Sequence, residues 1–96
     1  MHVGTCRVRL HLPENHDLKG KRHIVRPLVE RVRKTFNAAV AEVDDLDIWQ
    51  SSVLGIAVVG NDARHVNEVL SHIVEFVEQS AHDAIVVDYE IELITL

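Results

Sequence analysis

The chain has 96 residues, of which 47% are hydrophobic and 26% are charged, so it is long enough for one hydrophobic core and has the composition of a globular protein. Its single cysteine excludes an internal disulfide and a zinc site built from several cysteines. The net charge of −5 and the pI near 5.7 argue against a dedicated DNA-binding domain, since such domains usually carry net positive charge.

The first predicted element is a strand that ends at a proline. From Thr5 to Leu12 every second residue is apolar, which is the period of a strand with one buried face. Pro13 cannot donate a backbone hydrogen bond, and together with the polar residues that follow it, up to Asp17, it predicts a loop.

The second predicted element is a helix that carries most of the positive charge. Seven of the ten lysine and arginine residues lie between Lys19 and Lys34, and with Glu30 they give this segment a formal charge of 7 − 1 = +6. Pro27 predicts a kink on its solvent side, and Asn37 is the predicted C-terminal residue because asparagine tolerates the left-handed conformation. Apolar residues recur on the other side with helical spacing: Val25, Leu28, Val29, Val32 and Phe36.

Two strands separated by a turn follow the helix. Residues Ala39 to Asp44 alternate between apolar and polar, which predicts a strand with one buried face. Val53 to Val59 is apolar on both faces, as expected of a central strand. The polar segment Asp45 to Ser52 is the predicted turn between them.

A second helix and a last strand complete the chain. Asn61 or Asp62 is the predicted N-cap of the helix, and its buried residues are Val66, Val69, Leu70, Ile73, Val74 and Val77. The last strand, Ile85 to Leu96, alternates strongly. We expect four of its side chains to face the core, namely Val87, Tyr89, Ile91 and Leu93.

The order βαββαβ predicts an α+β, ferredoxin-like fold over residues 1–96 as a single domain. Right-handed crossovers interleave the two halves into a four-stranded antiparallel sheet of order 4-1-3-2, with both helices on one face. The first strand then lies beside the last, where opposite charges stabilise neighbouring strands. The side chains brought together on the helix-free face are Arg7, Arg9, His11, Asp88, Glu90 and Glu92.

The basic helix is the strongest functional candidate in the sequence. Four of its cations fall within about 60° of one another, directly beside the apolar side, and arginine binds phosphate with bidentate geometry. A solvated polar face that happens to be basic explains the same pattern, and so does contact with the acidic half of a second copy. The predicted nucleic-acid or partner contacts are Lys19, Lys21, Arg22, Arg26 and Arg33.

The turn between the second and third strands supplies a second set of candidates. Its acids suit a divalent cation, but their spacing departs from that of an EF-hand, and we favour a polar turn without metal. Trp49 caps the end of the core, which we favour, or is exposed at an interface. The candidates for a partner interface are Glu42, Asp44, Trp49 and Gln50.

No arrangement of residues predicts catalysis, a metal or a cofactor. The seven histidines include no pair with i, i+4 spacing and no cysteine partner, and no Ser-His-Asp or Cys-His order is evident. Cys6 falls on the predicted core face, where a cysteine behaves as a small hydrophobic residue. We therefore expect a domain that is not an enzyme.

The helix-free face of the sheet offers no aromatic residues for base stacking. Tyr89 is predicted to face inward, so recognition of single-stranded RNA by this sheet is disfavoured. Small residues at its centre, Gly55 and Ala57, lie near the apolar Val59 and allow pairing with another sheet. A homodimeric interaction module with no nucleic-acid role is therefore the alternative hypothesis.

We expect a cytoplasmic protein that does not enter a membrane. The longest strongly apolar run, Val53 to Val59, is far too short to span a bilayer. The first residues run directly into an alternating strand and lack the charged and apolar regions of a signal peptide.

Short motifs spread over nearly the whole chain are His11-Leu12-Pro13, His16-x-Leu18-Lys19-x-Lys21-Arg22, Phe36-Asn37, Val40-Ala41-Glu42-Val43-Asp44, Trp49-Gln50, Leu54-Gly55-Ile56-Ala57-Val58-Val59 and Asn61-Asp62. Together they resemble the YlxP-like family of small bacterial domains of unknown function. The resemblance implies a ferredoxin-like fold and supplies no catalytic residues. Genes of this family often lie beside genes for transcription and translation factors, which implies ribosome-associated RNA or protein as the partner.

Overall fold

Six elements follow one another in the computed structural model, which describes residues 1–96. They are β1 (His2–His11), α1 (Leu18–Thr35), β2 (Ala39–Asp44), β3 (Ser51–Gly60), α2 (Ala63–Ser80) and β4 (Ile85–Thr95). The strands form one sheet of order β2-β3-β1-β4, and every neighbouring pair is antiparallel. This is the predicted order read from the opposite edge, so the ferredoxin-like fold is confirmed.

One face of the sheet packs against both helices and forms the core, a cluster of 18 buried residues. Alternate residues of β1 point into it, and Cys6 and Val8 lie opposite Ile56 and Leu54 of β3. The helices contribute the stripes that their spacing predicts, and Val69 of α2 packs at the margin. The buried helix residues that complete the core are Val25, Leu28, Val29, Val32, Val66, Leu70, Ile73, Val74 and Val77.

Both helices begin with an aspartate that accepts a hydrogen bond from a backbone N–H of the first turn. Asp17 Oδ1 accepts from the amide of Gly20 at 2.6 Å, and Asp62 Oδ1 accepts from the amide of Arg64 at 3.0 Å. These bonds satisfy amides that have no partner within the helix, and Asp62 is one of the two predicted caps. Neither helix is long and apolar enough to cross a membrane.

The end of α1 differs from the prediction. The helix runs as one element through the exposed Pro27 to Thr35, and its C-cap is Phe36, whose φ of −122° is extended. The expectation that Asn37 closes the helix in the left-handed conformation is wrong, because the non-glycine residue with positive φ is Asp45, at 57°. The left-handed residue therefore lies in the β2–β3 turn.

Two basic residues of β1 face acids of β4 as predicted, whereas His11 lies opposite Ile85. Arg7 pairs with Glu90 and Arg9 with Asp88 in the strand register. The Nε of Arg9 lies 3.9 Å from Asp88 Oδ1, and its Nη1 donates to Asp45 Oδ2 at 2.9 Å. Arg9 thus joins the last strand to the β2–β3 turn across the helix-free face.

The apolar side chains of β4 are more exposed than their alternation predicts. Tyr89 and Leu93 pair with Val8 and Gly4 and so lie on the helix face, yet they are 51% and 44% exposed. Val87 is also exposed and lies at a bulge in the β1–β4 pairing. The reason is that β4 is an edge strand, which the two helices cover only in part.

Two strand glycines provide a test of this packing. A Cβ at Gly4 would lie 2.5 Å from Val66 Cγ1 and 2.6 Å from Leu70 Cδ1, both fully buried, whereas a Cβ at Gly55 would meet the exposed side chain of Val43 at 2.6 Å. We expect Gly4→Ala to lower the free energy of unfolding in urea by about 1–3 kcal/mol. Gly55→Ala is the control and should cost less than about 1 kcal/mol, because Val43 can move. Equal losses would contradict the described packing around Gly4.

Candidate functional site

Lys21, a predicted partner contact, is buried and only 2% exposed. Its ammonium group donates to the carbonyl oxygens of Asp45 and, at 2.9 Å, of Ile48, and lies 2.9 Å from Glu42 Oε2. A buried charge is tolerated only when it is paired and hydrogen-bonded in this way. Lys21 therefore ties the first turn of α1 to β2 and to the β2–β3 turn, and its ammonium is not available to a partner.

Further hydrogen bonds hold the same turn. The side-chain Nδ2 of Asn15 donates to the carbonyl of Trp49 at 2.6 Å, and Asp45 Oδ2 accepts from Ser51 Oγ at 2.6 Å as well as from Arg9. Asp45 is thus committed to the structure of the turn. No three histidine, cysteine or acidic residues are arranged to share a metal ion.

The other predicted cations of α1 form a basic stripe, which we define as Lys19, Arg22, Arg26 and Arg33. Lys19, Arg22 and Arg26 are exposed, and no carboxylate lies within 4.0 Å of their charged groups. Arg33 differs, because it pairs with Glu30 Oε1 at 2.7 Å and donates to the carbonyl of Val40 in β2. Three cations of the stripe are therefore free to meet an anionic partner.

Three members of the basic stripe, Arg22, Arg26 and Arg33, line a groove between α1 and β2, whereas Lys19 lies outside it. The groove has a volume of about 600 Å³, within the range of about 300–1,000 Å³ typical of ligand sites. Its apolar lining is Leu18, Val25, Val29, Ala41 and Leu46, and its acidic residues are Glu30, Glu42 and Asp47. We name it the α1–β2 groove; the sequence did not predict it, since its shape depends on how far the helix lies above the edge strand.

The four candidates for a partner interface divide into two groups. Glu42 is half-buried and binds Lys21 and Ser52, while Gln50 donates through Nε2 to the carbonyl of Pro13 at 3.2 Å, so both hold the fold. Asp44 and Trp49 are accessible. Trp49 is 53% exposed, so the favoured expectation that it caps the core is wrong.

Trp49 belongs to an exposed apolar turn that sequence reasoning missed. Leu46 and Ile48 are also more than half exposed, and Leu46 lines the α1–β2 groove. The sequence feature that could have indicated this exposed turn is the alternation of acids with large apolar residues from Asp45 onward. Leu46 therefore adds an exposed apolar side chain to the same groove lining as Arg22 and Arg26.

Cys6 offers no reactive thiolate at neutral pH. It is buried in the core as expected, and burial raises the pKa of its thiol from 9.0 to about 11. The thiolate is the nucleophilic form of cysteine. At neutral pH the side chain is therefore a protonated core residue that contributes packing.

A family model described as "Protein of unknown function (DUF503)" matches residues 3–91, which is nearly the whole chain. The chain belongs to the DUF503 family. Membership agrees with the expectation of a small domain of unknown function. No curated protein matches this DUF503 member.

Solved structures with the same architecture include two designed proteins. The de novo designed protein LFR1 1 with ferredoxin fold, determined by solution NMR, is 18% identical with a TM-score of 0.58, over 100% of this chain and 88% of that chain. The de novo designed protein Foldit4 is 12% identical with a TM-score of 0.54, over 100% of this chain and 99% of that chain. At such identities the likeness shows the fold alone.

The structural role of Lys21 can be separated from a binding role. We expect Lys21→Met to lower the free energy of unfolding by about 2–3 kcal/mol, because it removes the cation paired with Glu42 and the donor to the turn carbonyls. Urea denaturation measures the loss. Lys19→Met is the control and should change stability by less than about 0.5 kcal/mol, since Lys19 is exposed. A Lys21→Met protein as stable as the parent would contradict the proposed anchoring role.

Proposed function

We propose that this DUF503 member is a non-enzymatic accessory domain that binds structured RNA or a ribosome-associated protein through the basic stripe of α1. The observation that carries the proposal is the exposure of Lys19, Arg22 and Arg26 without any carboxylate partner. The resemblance to the YlxP-like family supports a ribosomal setting, and hence a cytoplasmic one. No metal or cofactor takes part in this function.

The distribution of charge supports binding from one side. From Thr35 to Leu96 the chain has one basic residue, Arg64, and twelve acids, a formal charge of 1 − 12 = −11. An anionic partner is therefore repelled by most of the surface and attracted by α1, which fixes its direction of approach. Arginine adds bidentate hydrogen bonds to phosphate or carboxylate, so the contact gains orientation as well as charge.

The test compares two pairs of charge-removing substitutions on the same helix. Arg22→Ala with Arg26→Ala removes two free cations of the stripe, and we expect retention on purified ribosomal particles to fall about tenfold or more, as each charge-assisted bond contributes about 1.5–3 kcal/mol before solvent screening. Salt should weaken binding of the parent protein steeply.

Arg31→Ala with Lys34→Ala is the matched control, because it removes the same charge from exposed positions that do not line the groove. We expect this pair to change retention by less than about twofold, since it leaves the stripe intact. Retention that is unchanged in the stripe variant, or that falls equally in both variants, would overturn the proposal.

A homodimer is the second candidate function, and the exposed apolar residues of the last strand favour it. Six of the twelve exposed large hydrophobic residues lie between Ile85 and Leu96. An edge strand with an apolar surface can pair with another copy of itself. The sheet centre supports pairing less, because Val43 covers Gly55 and the charged Arg7 and Arg9 lie close by.

Light scattering after size exclusion tests this second candidate. We expect a dimer at micromolar concentration, and we expect Leu93→Lys to weaken its association about tenfold or more, because a charge would enter the apolar contact. Ile48→Lys is the control, since Ile48 has similar exposure but lies in the β2–β3 turn. A parent protein that is monomeric at every concentration would exclude the homodimer.

A further inference from the structure

The free edge of β2 lies within reach of α1. β2 has six residues and pairs only with β3, so every second peptide group along it points away from the sheet. The guanidinium of Arg33 donates to the carbonyl of Val40, which shows that side chains of α1 reach this strand. β2 contains neither the lysine nor the proline that often protects an edge.

The α1–β2 groove beside this edge has the parts that an extended peptide needs. Val25 and Val29 of α1 and Leu46 of the β2–β3 turn supply apolar side chains to its lining. Arg22 and Arg26 stand on the helix side with no partner of their own. Peptides that add a strand to a sheet edge gain affinity from main-chain hydrogen bonds and specificity from alternate side chains.

The spacing of the two free arginines matches an extended acidic segment. Arg22 and Arg26 are four residues apart on a helix, which is about 6 Å along its axis. Alternate residues of a strand point to the same side and are about 6.6 Å apart. Carboxylates at alternate positions of the segment therefore meet successive arginines, each with bidentate geometry.

Two other occupants fit this groove less well. The groove lining also carries Asp47, which has no cationic partner, and Glu42, which is paired with Lys21; the free acid opposes a nucleic-acid backbone with one charge at every phosphate. A peptide can turn its carboxylates toward α1 and its backbone toward β2. A second copy paired through β2 would bring two basic stripes together, and like charges oppose that arrangement.

We propose that the α1–β2 groove binds an extended acidic segment of a partner protein, which adds a strand along β2 and places its carboxylates on Arg22 and Arg26. This proposal rests on the proposed function and names the chemistry of the partner for the same site. Arg33 lies beside the incoming strand and can exchange the carbonyl of Val40 for a carboxylate, which leaves that carbonyl free to accept from the peptide backbone.

Hydrogen exchange of the full chain tests the proposal. The probe is a blocked peptide that alternates aspartate with valine, and the readout is the exchange rate of the β2 amides that exchange fast in the free domain. At a peptide concentration about ten times the Kd, we expect these amides to exchange about tenfold more slowly. A peptide with lysine in place of aspartate should leave them unchanged. Binding of the acidic peptide without protection in β2 would overturn the proposal.

Paired substitutions locate the binding site. Leu46→Glu adds a carboxylate to the groove lining and should weaken peptide binding about tenfold, whereas Ile48→Glu, in the same turn, similarly exposed and outside the groove lining, should change it less than about twofold. Arg26→Glu against Arg31→Glu gives the same comparison on the helix. Equal effects within the pair that is used would contradict the assignment.

An RNA duplex probe separates this proposal from the proposed function. Loss of ribosomal-particle retention in the Arg22→Ala, Arg26→Ala variant, together with slower β2 exchange on addition of acidic peptide, supports both. Loss of retention with no β2 protection by the peptide, but with RNA binding at the stripe, overturns the acidic segment and leaves the proposed function intact. If retention on ribosomal particles is the same in the Arg22→Ala, Arg26→Ala variant as in the parent protein, the proposed function is overturned. Slower β2 exchange on addition of the acidic peptide would then still support binding of the acidic segment in the α1–β2 groove.

Discussion

The position of α1 over the sheet depends on one buried ammonium group. Lys21 binds carbonyl oxygens of the β2–β3 turn and the carboxylate of Glu42, so a single side chain joins the helix, the edge strand and the turn. Since the ammonium is almost fully shielded from water, losing any of these acceptors costs more than a surface ion pair would. These contacts therefore set the distance between α1 and β2 across the α1–β2 groove, and with it the position of the basic stripe relative to β2.

Much of the fold followed from the period of the apolar residues, because alternation and helical spacing are direct consequences of which faces are buried. The facing charges of Arg9 and Asp88 agreed with the strand order. The sequence did indicate that Lys21 is buried, but the high positive charge of the helix made Lys21 resemble a member of its exposed basic side. Lys21 lies four residues before Val25 and seven before Leu28, so it falls on the apolar side of the helix. A cation at such a position is placed to reach polar groups at the end of the core.

Other features could not be read from the sequence because they depend on how the two layers overlap. Two helices cover the central strands and leave β4 partly uncovered, so Tyr89 faces the core side and is still exposed. The exposure of Trp49 depends on the path of a turn that Asn15, Lys21 and Arg9 hold from three sides. The groove itself results from the offset of a helix from an edge strand, which no periodicity encodes.

The pairing of charges between β1 and β4 has a consequence for the behaviour of many copies together. The last strand alternates acids with large apolar residues from Asp88 to Leu93, so it has the composition that the α1–β2 groove would attract. Such a contact joins the β4 edge of one molecule to the β2 edge of the next, a head-to-tail arrangement that grows into a filament unless the rotation closes a ring. Arg9 lies 3.9 Å from Asp88, and Arg7 faces Glu90 in the strand register of the same molecule, so part of the negative charge of this strand is offset within the molecule. This lowers the tendency of the domain to polymerise through its own last strand.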